Sequence, residues 1–293
     1  MKSVFGDRRT ILILLLPTLT LYVLLKLVPV AWSLGLSFFE GNSLRGFEFV
    51  GFENFTTFFT DPAAIQALWV SVIFALLATA GQIILGYLLA LFYVFVLRNG
   101  SAFVRTAVFF PMVLPTVAVA LMFRSFVAVG DNQGPVNDII NFFGGQSVEF
   151  LASTVGTMSV ALVMTFWSSM GFYAVLLYTG LLDIPDEVIE SARIDGASGF
   201  RLVRHIVIPL SLPILISSII FSLNSTLKVF DSLFALNGGG PGTSTSPLTL
   251  YMFRTAFEYA EYGYGSTIAL VLTLLCLVFT LAIFRSSSRR AED

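Results

Sequence analysis

Side chains whose type could do chemistry are sparse in this 293-residue chain: one histidine, His205, and one cysteine, Cys276. A single histidine excludes a multi-histidine metal site, and a single cysteine excludes a disulfide framework. Cys276 lies inside an apolar run and reads as a small hydrophobe. The run from Asn237 to Thr245, NGGGPGTST, has the composition of a phosphate-binding loop. It lacks the lysine that such a loop places after its last glycine and follows no buried strand, so it reads as a tight turn. No paired metal ligands and no nucleophile with a base at matching spacing occur, and there is no basic domain for nucleic acid. Two charged residues stand close together inside apolar sequence. Lys228 and Asp231 are three apart, a spacing that pairs them across one helical turn or sets them on the wall of a wet cavity.

The remaining chemistry is concentrated in one polar stretch, Asp183 to Pro213. Pro185 suits a helix start, and Asp186, Glu187 and Glu190 follow it, negative charge near a positive helix end. Val188, Ile189 and Ala192 share one face of that helix. Gly196 ends it, Ser198 is placed to cap a second helix, and Phe200, Val203 and Val207 give that second helix an apolar face. A two-helix polar elbow of this kind is suited to being gripped by another protein.

The elements that must position these residues are membrane spans. The chain is 56% hydrophobic and only 12% charged, whereas soluble domains carry about 25% charged residues. Six stretches, approximately 10–36, 66–97, 106–129, 153–182, 210–235 and 266–284, are apolar enough to cross roughly 30 Å of hydrocarbon as helices of about 20 residues. Pro17 and Pro29 in the first, and Pro111 and Pro115 in the third, read as kinks. The first stretch is too long for a signal-peptide core, which makes it an uncleaved span. Lys26, toward its outer end, snorkels. The fold expected is an all-α polytopic membrane protein of six transmembrane helices.

Basic residues set the orientation. Lys2, Arg8, Arg9, Arg98, Arg105, Arg193, Arg201, Arg204, Arg285, Arg289 and Arg290 gather on one side, against Arg45 and Arg254 in the loops of the other. Both termini and the elbow are therefore expected in the cytoplasm. Small residues recur every fourth position at Ser71, Ala75 and Thr79, and at Ser153, Thr157, Ala161, Thr165 and Ser169. Such stripes allow close helix packing. Pathway lining is the other reading, better suited to the extracytoplasmic end of the fourth span and the middle of the fifth. Asp231 is the only intramembrane acid candidate and lies near a span end, so an ion gradient has little to act on here. The energy source then belongs to a partner acting through the elbow.

Glu190-Ser-Ala-Arg-Ile-Asp-Gly-Ala197, followed by Phe200, Ile206 and Pro209, resembles the EAA loop of binding-protein-dependent ABC importer permeases. Ser191 stands where that pattern usually has alanine. Phe230-Asp231, Gly239-Gly240-Pro241, Thr245 and Tyr262-Gly-Tyr-Gly265 resemble the carbohydrate-uptake permeases of the maltose and glycerol-phosphate type. Phe109, Pro111, Pro115, Trp167 and Gly171 also fit, and the similarity runs from about residue 10 to 285.

The resemblance implies a type I ABC importer permease in the bacterial inner membrane that carries a carbohydrate. Implied partners are a second homologous permease, two ATP-binding cassette subunits that bind the ATP and magnesium, and an extracytoplasmic binding protein. The chain itself would need no cofactor and perform no catalysis. Contact with the ATPase falls, by the same resemblance, to Glu190, Ala192, Asp195, Gly196 and Ala197, with Arg201 and Arg204 beside them. Sugar contacts fall to Met170, Gly171, Phe172 and Ala174, with Tyr173 as a neighbour, and to Ser222, Ser225, Thr226 and Val229, with Asn224 as a neighbour. Interhelical hydrogen bonding is an equal reading for each hydroxyl. The implied organisation is a first span and loop over 1–65, a permease core over 66–284 with its coupling loop at 183–209, and a tail at 285–293. Import of glycerol phosphate or another small polar solute is the alternative, with a gradient-driven carrier behind it.

Overall fold

The computed structural model describes residues 8–42, 44, 46–97 and 100–290. Lys2, Arg45 and Arg98, used above for orientation, lie outside them, as do the side chains of Arg8, Arg9, Arg289 and Arg290. The chain divides into two units, one of residues 1–65 and 251–271 and one of residues 66–250 and 272–293.

In the first unit, α1 (Leu12–Leu36) is exposed along its length and relaxes into a π-turn around Lys26. A short antiparallel hairpin, β1 (Phe39–Asn42) with β2 (Gly46–Phe49), follows where the sequence suggested only a loop. Next come α2 (Glu53–Thr60) and the start of α3 (Pro62–Val96). Buried Asn54 ties the hairpin down, donating through Nδ2 to the carbonyls of Ser37 and Phe39, each at 2.9 Å. Asp61 caps α3 by accepting from the Ala63 amide at 2.9 Å, and it also accepts from the hydroxyls of Tyr251 and Tyr264, the latter at 2.7 Å.

In the second unit the third span is sharply divided. α4 (Ser101–Val113) and α5 (Thr116–Phe126) meet at 93° rather than at a mild kink. Leu114, held extended at ψ 143° by the proline after it, turns the chain. α6 (Pro135–Phe142) precedes the long α7 (Thr154–Leu182), which Ser153 caps by accepting from the Gly156 amide. Then come α8 (Asp186–Ile194) and α9 (Gly199–Leu210), and a 73° bend at Ser211 leads into α10 (Leu212–Leu227). Tyr87 stabilises the bend, its hydroxyl 2.8 Å from the buried Ser211 hydroxyl.

The fifth span also ends earlier than its hydropathy suggests. The chain breaks over residues 228–230 before α11 (Asp231–Asn237), and the glycine-rich loop then folds inward. Gly239, Gly240 and Thr245 are buried there, and the Thr245 hydroxyl donates to the Gly240 carbonyl. This is more than a surface turn. α12 (Leu248–Phe253) and α13 (Tyr262–Ser286) complete the chain, each shared between the units. Among the described residues, four helices are long and apolar enough to cross a membrane alone, and counting each bent pair as one span brings the number to six.

Two buried cores hold the second unit. One gathers Phe74, Val119, Ala161, Met164 and Leu236. The other joins Tyr87, Ala90, Tyr173, Leu177 and Leu181 to Ile189, Ala192, Leu202 and Val207 of the elbow.

Candidate functional site

The elbow is built as an amphipathic pair. α8 turns Ile189 and Ala192 into the second core, while Glu187, Glu190, Arg193 and Ile194 face outward. Ile194 is 87% exposed, so the outward face carries an apolar knob among its charges. Gly196 ends α8 at φ +84°, and the Ala197 amide closes the turn on the Ala192 carbonyl at 2.9 Å. Glu190, Asp195, Gly196, Arg201 and Arg204 are exposed. Ala192 points the other way: it packs the elbow onto the bundle and offers no outward contact. Ala197 is half-buried. Three expectations change here. Phe200 is 74% exposed and does not line the buried face; Val207 does, as expected, and Leu202 joins it. Val188 is also largely outward. Ser198 occupies the cap position of α9 with its carbonyl, not its side chain, accepting the first amides.

The second constellation is a cavity of about 280 Å³ among α3, the break between α4 and α5, α7, and the break between α10 and α11. α3 contributes Phe74 and Gln82. The α4–α5 break contributes Pro111, Met112, Leu114 and Thr116, and α7 contributes Met164, Thr165, Ser168 and Ser169. Ser225, Thr226, Lys228, Val229, Phe230, Asp231 and Ser232 close it. Helical register explains the membership: 165, 168 and 169 lie on one stripe of α7. Of the two small-residue stripes, Ser71, Ala75, Thr157 and Ala161 are buried in packing, whereas Thr165 and Ser169 reach the cavity. The lining part is thus the middle of the fourth span, not its end.

Beside the cavity, α3 and α10 are joined by a buried polar network. The Ser222 hydroxyl lies 2.6 Å from Gln82 Oε1 and 3.2 Å from the Thr79 hydroxyl. Thr79 is 3.3 Å from the Thr226 hydroxyl, which donates to the Ser222 carbonyl at 2.9 Å. Such interhelical bonds contribute on average about 0.6 kcal/mol each within a bilayer.

The residues assigned by resemblance divide accordingly. Ser225, Thr226 and Val229 line the cavity, and Ser222 stands behind it. Asn224 faces elsewhere, donating to Thr280 at 2.9 Å. The segment 170–174 misses the cavity. A Cβ on Gly171 would sit 2.2 Å from the Val108 carbonyl oxygen, so this glycine lets α7 meet α4. Tyr173 and Ala174 are buried in packing, and the Phe172 ring meets Tyr173 edge-to-face and lies tilted against Phe221. Met170 is half-buried and off the lining stripe.

Lys228 and Asp231 do not share a helix. Lys228 terminates α10 and Asp231 opens α11, with Phe230 between them at φ −139° and ψ −67°. No ion pair within 4.0 Å joins them; the pair found among the described residues is Arg254–Glu258 at 3.9 Å. Both line the cavity, the second of the two arrangements their spacing allowed. Gln82, Ser168 and Thr116 had escaped the sequence reading. Gln82 at least carried a signal, an amide in the middle of an otherwise apolar span.

Residues 82–292 match the family model described as a binding-protein-dependent transport system inner membrane component. The chain is 32% identical over 286 residues to the sulfoquinovosyl glycerol transport system permease protein SmoG of Agrobacterium fabrum, covering 96% of this chain and 91% of that one. It is 28% identical over 281 residues to the trehalose/maltose transport system permease protein MalF of Thermococcus litoralis, with 96% and 94% coverage. Among solved structures, a chain of a bacterial ABC transporter involved in the import of the acidic polysaccharide alginate superposes with a TM-score of 0.85 at 23% identity, over 98% of both chains. At that identity the likeness is one of fold.

Proposed function

The chain belongs to the family of binding-protein-dependent transport system inner membrane components; it is a permease component of an ABC importer, and from that premise we propose that its cargo is a saccharide. The observation that carries the proposal is the cavity, where hydroxyls of Thr165, Ser168, Ser169 and Ser225 and the amide of Gln82 stand beside the apolar walls of Phe74, Val119 and Met164. Hydroxyls and amides satisfy sugar hydroxyls, and the apolar walls cover the C–H face of a ring. At about 280 Å³ the cavity is near the lower end of ligand sites, which run from roughly 300 to 1,000 Å³. It holds one end of a di- or oligosaccharide rather than the whole. The relatives named for sulfoquinovosyl glycerol and for trehalose and maltose support the same class.

In this reading the elbow lies in the cytoplasm and seats in a cleft of a partner ATPase. A second, homologous permease completes the membrane part, and a binding protein delivers cargo from outside. Glu190 supplies a charged contact, Ile194 an apolar one, and the backbone turn at Gly196 fixes their angle. The inner face of α8, packed through Ile189 and Ala192 onto the core that holds Leu177 and Leu181, passes ATPase movement into α7.

The test is reconstitution of the whole transporter in proteoliposomes with its binding protein. Glu190→Lys is expected to leave the complex assembled while abolishing saccharide-stimulated ATP hydrolysis. Retained stimulation rejects the coupling role, and uptake driven by an ion gradient without ATP rejects the importer reading.

A further inference from the structure

We propose that the cavity selects saccharides bearing one anionic group, and that Lys228 is the cation that reads it. This rests on the saccharide reading of the same cavity and narrows it. Among the described residues, Lys228 is the only basic residue on the cavity wall, and Asp231 is the only acidic one. No carboxylate approaches Lys228 within 4.0 Å among the described residues.

The two charges are held apart by the backbone. Lys228 ends α10, its amide directed to the Ser225 carbonyl, where the helix dipole favours a cation. Asp231 stands in the first turn of α11, where the dipole favours an anion. Each is stabilised by its own helix end, so neither depends on the other. Lys228 is exposed on the wall and has no carboxylate beside it, so a carboxylate, sulfonate or phosphate on the cargo can serve as its counter-ion. Asp231 is then free to accept hydrogen bonds from hydroxyls further along the sugar.

Gln82 adds an independent observation. It is 97% buried by the 3% exposure of its surface, and its Oε1 is occupied by Ser222. Among the described residues its amide nitrogen has no acceptor, although the residue lines the cavity. That nitrogen is not one of the fully buried unpaired atoms; it stands at the cavity surface, open to an acceptor. The cavity therefore presents a cation and an amide donor awaiting acceptor oxygens, with one carboxylate at its edge.

The experiment uses the assembled transporter in detergent and three matched pairs: glucose with glucuronate, galactose with galacturonate, and mannose with mannuronate. Affinities are measured by saturation-transfer NMR. At low salt the acid of a pair is expected to bind about tenfold more tightly than its neutral partner, with the preference shrinking at high salt. Lys228→Gln is expected to erase the preference, Lys228→Arg to retain it, and Asp231→Asn to widen it. Equal binding within every pair, or a preference surviving Lys228→Gln, overturns the proposal and leaves the saccharide reading standing. Binding of no sugar at all overturns both. If Lys228→Gln fails to assemble, loss of the preference in Lys228→Arg overturns the role of charge.

Discussion

The elbow and the cavity are opposite ways of building a site. The elbow is contiguous: Asp186 to Val207 folds into two short helices whose outward residues are already neighbours in the chain. The cavity is assembled from segments reaching from Phe74 to Ser232, and none of those segments means much alone. One region carries many charges on an outward face, whereas the other sets one cation and one acid on a concave wall of hydroxyls and apolar side chains. A surface gripped by a partner can be encoded locally. A cavity between helices depends on register and on where spans break.

Two glycines sharpen that contrast, and the larger effect belongs to the bundle. Gly171 is required by close approach, since its Cβ would meet the Val108 carbonyl oxygen at 2.2 Å. Gly171→Val is expected to cost at least about 1–3 kcal/mol of packing, read as lost assembly or a lowered Tm in detergent. Gly171→Asn should be no better. Gly196 is required by conformation alone, with φ +84° and open space around its Cβ position. Gly196→Val is expected to cost about 1–2 kcal/mol locally and to impair coupled ATP hydrolysis. Gly196→Asn should recover most of both, because asparagine tolerates left-handed backbone. Rescue at 171, or its failure at 196, would break the distinction between the regions.

An acid outside both regions shows what a fixed charge does that an exposed elbow charge does not. Burial pushes the Asp61 carboxyl up, but bonds from Tyr251, Tyr264 and the amides of Ala63 and Ala64 outweigh it and hold the group below the ordinary carboxylate value. Its stabilisation is therefore present above the unfolded pKa of about 3.9 and is lost as pH falls through the lower folded value. Asp61→Asn, which keeps the shape and removes the charge, is expected to lower stability by about 1–3 kcal/mol at neutral pH. Acidification should destabilise the parent more steeply than this variant. Thermal melts from pH 7 downward check the sign, and parallel curves would refute it.

The same contrast explains what could be read in advance. The elbow was legible because its glycine and charges are local signals; Phe200 and Val188 were errors of helical phase, and Ser198 marks the helix start without a side-chain cap. The long spans were legible from hydropathy. The right-angle turn at Leu114 was not: two prolines mark a disturbance without giving its angle. The break after Leu227 was invisible because no proline or glycine marks residues 228–230, and with it went the helical spacing assumed for Lys228 and Asp231. Positions 170–174 lie outside the cavity because they continue α7 one turn beyond its lining residues Thr165, Ser168 and Ser169, where the helix packs against α4 at Gly171. Hydropathy cannot register that difference.

The smallest effect tests whether the cavity wall is held by hydrogen bonds or by packing. Ser222→Ala removes the 2.6 Å contact to Gln82 Oε1 and the 3.2 Å contact to Thr79. If these act as ordinary interhelical bonds, each single substitution, Ser222→Ala or Gln82→Leu, should cost no more than about 2 kcal/mol. Their coupling in a double-mutant cycle should be about 0.6 kcal/mol. The two substitutions should differ in function. Ser222→Ala leaves the Gln82 side chain able to turn toward the cavity, so sugar affinity should change little, whereas Gln82→Leu removes the donor and should weaken it. Equal loss of affinity in both would mean that Ser222 sets the Gln82 orientation, making the wall a hydrogen-bonded device rather than a packed one.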